Sequence, residues 1–178
     1  MNENPPFEPN YPKDFKSSKG GFLYMKTNLA MPISADTQLL LNHVYQGCQM
    51  GIDSVHRLLE RAHDTDTKNM LLDLAHEHRR IMSLAAEAMR PYLTAPEDIG
   101  IMDKMRSRMV AMDVRRRNPN RRIAKTLILG SRMALHSLMK DLRKSPLAKN
   151  SAQQLVGELI RLEKRTMREG LKLRQHAA

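Results

Sequence analysis

The chain has 178 residues with 30 lysines and arginines against 19 carboxylates, a net charge of +11, and it is 41% apolar but only 4% aromatic. That size suits one domain with its own core, and an interior drawn from Leu, Ile, Ala and 14 methionines, with no tryptophan, favours helices over a sheet. A single cysteine excludes an intramolecular disulfide framework, and neither a secretory signal nor the ~18 apolar residues of a membrane span is present, so the expected setting is the cytoplasm with no membrane partner.

The charge is unevenly placed. Residues 36–96 carry 6 basic and 8 acidic side chains, residues 97–144 carry 13 and 5, and residues 145–178 carry 7 and 3. A net of −2 is thus followed by +8 and +4, which bears on partners and not on fold.

Residues 1–35 contain Pro5, Pro6, Pro9, Pro12 and Pro32 without a sustained period, as in an extended or disordered arm. They also hold Phe7, Tyr11, Phe15, Phe22 and Tyr24, five of the seven aromatic residues, so an arm packed on this subunit or on a neighbour is the competing expectation. The single helical domain is expected over 36–178.

From Asp36 to His63, Leu41, Val44, Cys48, Ile52, Val55, Leu59 and Ala62 recur at steps of three and four and predict a first helix, with Ser34 or Asp36 as its cap. Asp64 and Asp66 offer a turn and a new cap. Leu71, Leu74, His78, Ile81, Ala85, Ala88 and Tyr92 then predict a second helix, ending near Pro91 and antiparallel to the first.

Met102, Met105, Met109 and Met112 form the stripe of a further helix, which ends at Arg115-Arg116-Arg117-Asn118-Pro119-Asn120-Arg121-Arg122. Proline lacks the N–H that a helix interior requires and disfavours helical dihedrals at Asn118, so the chain must turn there. Ile123, Leu127, Gly130, Ala134, Leu138 and Leu142 predict an inward face from about Arg121 to Lys144, and Leu155, Leu159, Leu162, Thr166 and Leu173 another from about Ser151 to Arg174.

Four long helices of similar length predict an all-α, ferritin-like four-helix bundle, with the Met-rich helix as a crossover between the second and third; a five-helix up-and-down array is the alternative. Gly51 and Gly130 lie inside helical patterns at a cost of about 1 kcal/mol each, for which close approach of another helix is the simplest compensation.

A ferritin-like bundle invites a search for a di-iron site, which needs a Glu from each of two helices and Glu-x-x-His from the other two. Only Glu60-Arg61-Ala62-His63 matches, at a helix end. His76, Glu77, His78, His136 and Glu163 remain as weak candidates for a metal, and no cofactor is expected. Cys48 lies on an apolar helix face, where burial makes a thiol inert. Neither a phosphate loop nor a nucleophile elbow is present, so no catalytic residue is expected. The basic run Arg115, Arg116, Arg117, Arg121, Arg122 and Lys125 is the candidate anion site. It could hold a phosphate backbone, face solvent, or meet the acidic first hairpin of this subunit or another.

Met50-Gly51-Ile52-Asp53 and Gly130-Ser131-Arg132-Met133 resemble a ferritin-like four-helix-bundle family of short bacterial proteins of unknown function, near the stress-related four-helix proteins and the spore-coat-type ferritin relatives. The resemblance runs from about Leu40 to Leu173. It departs at Arg132 and Ala134, where relatives carry Thr and Gly, and in the aromatic arm and arginine runs. It implies a fold and a cytoplasmic setting, with no activity to carry over. The expected function is therefore that of a non-enzymatic structural or interaction protein, a homo-oligomer or one bound to a protein partner through the arm. Nucleic-acid or polyanion binding is the alternative, and a metal-binding redox protein the third.

Overall fold

The computed structural model describes residues 32–96 and 118–176, which form four long helices and no strand. Helix α1 spans Ala35–Leu59, α2 Thr65–Met89, α3 Pro119–Lys144 and α4 Asn150–His176; a single 3-10 turn, Arg90–Tyr92, follows α2. Residues 1–31 of the arm, the Met-rich stretch and Arg115–Arg117 lie outside the described residues.

Local chemistry fixes the helix starts. The Ser34 hydroxyl accepts from the Thr37 N–H at 3.3 Å, and the Asp64 carboxylate accepts from the Thr67 N–H at 2.7 Å. That bond, with a second from Asn120, holds the Asp64 carboxyl down at about 2. Asn118 is extended and its side chain accepts from the Arg121 N–H at 3.1 Å. Pro119 then takes the first helical position, where its missing N–H costs nothing. The break read from the sequence is thus a proline-led helix start.

Four hydrogen bonds set the direction of the chain. The turn between α3 and α4 sits on the start of α1, where the Leu147 N–H donates to Asp36 Oδ2 at 3.0 Å and the Lys149 N–H to Thr37 Oγ1 at 2.9 Å. Lys149 Nζ also donates to the Tyr92 hydroxyl at 2.7 Å, which places the end of α2 at the same end. At the opposite end Asn120 Nδ2 donates to Asp64 Oδ2 at 2.8 Å, so α3 begins where α2 begins. Helices α2 and α3 therefore run in the same direction, and each tight turn joins an antiparallel pair.

The α1–α2 and α3–α4 hairpins are the most extensive pairings; α4 also lies against both α2 and α1, while α1 meets α3 less extensively. Leu40, Leu41, Val44 and Leu58 meet Leu71, Leu74, Ile81 and Met89, together with Ile123, Leu127, Val156 and Leu159, in one continuous core. Burying each such side chain contributes about 1.5–3 kcal/mol, so this core and not intrinsic propensity holds the helices.

Two expectations about the helices need correction. Helix α1 ends at Leu59, short of His63, because Arg61 and Ala62 N–H groups bond back to Leu58 in a turn. Gly130 does not face inward: it is exposed, and a Cβ built there would meet nothing within 4 Å. The buried face of α3 is Ile123, Ala124, Leu127, Ser131 and Leu138, so a hydroxyl, and not the glycine, lies in the interior.

Candidate functional site

Two features have the makings of a site, one inside the bundle and one on its surface. In the interior, α2 contributes His78 and α4 contributes Glu163, with His78 Nε2 4.0 Å from Glu163 Oε1. Both are buried, at 2% and 6% exposure. The ring of His78 lies over Gly51 of α1, where a Cβ would come within 2.6 Å of His78 Cε1 and Nε2. The close approach expected at Gly51 is real, but it is made by a side chain from α2.

Burial lowers the His78 pKa to about 4, against a smaller opposing effect of Glu77, and raises that of Glu163. The Ser131 hydroxyl partly offsets the latter, although its geometry falls short of a hydrogen bond. Burial thus favours the neutral imidazole and shifts the Glu163 carboxyl toward its protonated form. His78 Nδ1 has no hydrogen-bond partner among the described residues. Cys48 is fully buried; desolvation pushes its thiol far up, reinforced by Glu163 and opposed by Arg80, so it is no nucleophile.

The other candidate ligands do not join this pair. Glu77 is half-buried at the surface and accepts from Arg80 Nε at 3.1 Å, while His76 and His136 are exposed on α2 and α3. No group of three or more His, Cys, Asp or Glu side chains is placed to hold a metal ion among the described residues.

The surface feature is cationic. Between Asn118 and His176 the chain carries 14 basic and 4 acidic side chains, a net of +10, against 6 and 8 over residues 32–96. Arg121, Arg122, Lys125 and Arg132 of α3 and Arg174 of α4 line a groove of about 480 Å³ with Ile128 and Leu129, and no described lining residue is a carboxylate. The structure thus brings Arg121, Arg122 and Lys125 of the candidate anion site together with two arginines that the linear reading missed.

Helix α4 carries a second group that the linear reading also missed. Arg161, Arg165 and Arg168 line a cleft of about 340 Å³ beside α2, floored by Ile81 and Leu162. Arg80 stands at its edge, held by Glu77 and by Glu158 Oε2 at 2.9 Å. The signal was available as basic residues three and four apart, on the face opposite the apolar stripe.

Together these features give, among the described residues, four long helices with a buried His–Glu pair in their core and positive charge concentrated on one hairpin. No helix among the described residues is long and apolar enough to cross a membrane. Comparison with protein-family models, curated proteins and solved structures finds no match.

Proposed function

We propose that this is a non-enzymatic interaction protein of the cytoplasm, built on a ferritin-like four-helix bundle, that binds a phosphate-bearing polyanion through its α3–α4 hairpin. The observation that carries the reading is the groove of Arg121, Arg122, Lys125, Arg132 and Arg174, where cations from two helices face one concave surface. Cations held on a rigid concave scaffold attract a polyanion, and release of condensed counterions from the polyanion then drives binding. The shared starting end of α2 and α3 supports the ferritin-like connection, since such bundles need one long crossover between two parallel helices.

The test is a titration of the protein with DNA and with inorganic polyphosphate at 20 mM salt. Binding that weakens at least tenfold in R121Q/R132Q/R174Q, with helicity unchanged, is the expected result. Absence of binding to either polyanion at that salt overturns the reading. The charge difference between the hairpins favours one second reading, in which the basic hairpin meets the acidic α1–α2 hairpin of another copy. Salt-dependent self-association in sedimentation, abolished by the same substitutions, is what that reading predicts.

A further inference from the structure

The outer face of α4 is a ridge of one charge. At about 100° per residue, Arg161, Lys164, Arg165, Arg168 and Lys172 fall within an arc of about 100°, opposite the buried Leu159, Leu162, Thr166 and Gly170. All five are exposed. Lys172 is paired with Glu169 at 3.1 Å, whereas Arg161, Lys164, Arg165 and Arg168 have no hydrogen-bond or ion-pair partner among the described residues. The ridge is bounded on the α2 side by Glu77 and Glu158, and Arg174, further round α4, lines the groove with Arg132 of α3.

We propose that this ridge is a second binding site, a sequence-independent track for the backbone of a nucleic-acid duplex. The proposal rests on the polyanion reading above and adds to it both a site and a ligand class. From 161 to 172 the ridge covers about 16 Å at ~1.5 Å per residue. A duplex carries about one negative charge per 1.7 Å of its axis, roughly 3.4 Å per strand, so the five cations over that length meet a backbone of at least matching charge density.

The arc contains no apolar side chain to insert into a bilayer and no aromatic ring to stack on an unpaired base. Carboxylates on the α2 side repel phosphates, which confines the duplex to the ridge and its α3 flank.

The experiment is a fluorescence titration of the 178-residue protein with a short random-sequence DNA duplex between 50 and 200 mM NaCl, with circular dichroism as the check on folding. Each cation on a phosphate adds ~0.9 to the slope of log affinity against log salt, so R161Q/R165Q/R168Q should flatten the slope by about 2.7. R161K/R165K/R168K, which keeps the charges, should retain the wild-type slope. The proposal is overturned by an unchanged slope in the Gln variant or by an equal loss in the Lys variant. It is also overturned if polyphosphate or phosphatidylserine vesicles bind and the duplex does not. The groove variant R121Q/R132Q/R174Q separates the two readings. A slope that falls in it alone removes the ridge and keeps the groove; a slope that falls in the ridge variant alone does the reverse.

Discussion

The His78–Glu163 pair makes opposite demands on pH. Burial holds His78 near 4 from an ordinary 6.5, so the unfolded chain takes up that proton first and stability falls as pH drops through this window. The interval corresponds to about 3 kcal/mol, present above pH 6.5 and lost by pH 4. Glu163 is raised, so its contribution has the other sign: it favours the fold below its ordinary value and is lost as pH rises. Thermal melts should show His78→Gln losing the decline between pH 6.5 and 4, and Glu163→Gln melting above wild type at pH 8. A lower melting temperature for Glu163→Gln at pH 8 would mean that the pair is held together as ions. Gly51→Ala should cost about 1–3 kcal/mol by forcing the His78 ring aside, which outweighs the ~1 kcal/mol gained in helix propensity. The inward step of His78 was legible in the sequence. Its meeting with Glu163 was not, because that depends on the register between α2 and α4, which no local pattern encodes.

At the scale of the helix, Gly130 supplies the complementary test. Nothing lies within reach of a Cβ there, so Gly130→Ala should raise stability by about 1 kcal/mol in denaturant unfolding, and a loss would reveal a contact on that face. The reading that placed Gly130 inward was wrong by one residue, a turn of about 100°, and Ser131 took the position. Apolar spacing located the remaining elements well because Leu and Ile mark a face strongly. On α3 the stripe is diluted by Gly130, Ser131 and Ala134, and exposed Leu129 and Met133 compete with it. Charge was harder to read, since a contiguous run such as Arg115–Arg117 is conspicuous while Arg161, Arg165 and Arg168 become one surface only when wound on a helix. The proline-led helix start and the arginines beside it also separate at this scale. Asn118 and Pro119 build the start of α3 without the arginines, so replacing Arg121 and Arg122 by Gln should leave helicity unchanged in circular dichroism, and a loss would contradict that division.

At the scale of the molecule, one core joins two hairpins of opposite character, net −2 over residues 32–96 and net +10 over residues 118–176. Segment charges were legible from composition; their concentration on neighbouring faces of α3 and α4 follows from the antiparallel turn at Ser145–Lys149, which sets the start of α3 beside the end of α4. Self-repulsion within the positive hairpin costs stability that the shared core offsets, and raising salt should relieve it while weakening any polyanion complex. The most direct test of the account is therefore the affinity of the wild-type protein for duplex DNA at 50 and at 200 mM salt. Five or more phosphate contacts predict saturable binding at 50 mM and a loss of at least ~100-fold at 200 mM. No binding at 50 mM, or an affinity indifferent to salt, would contradict it.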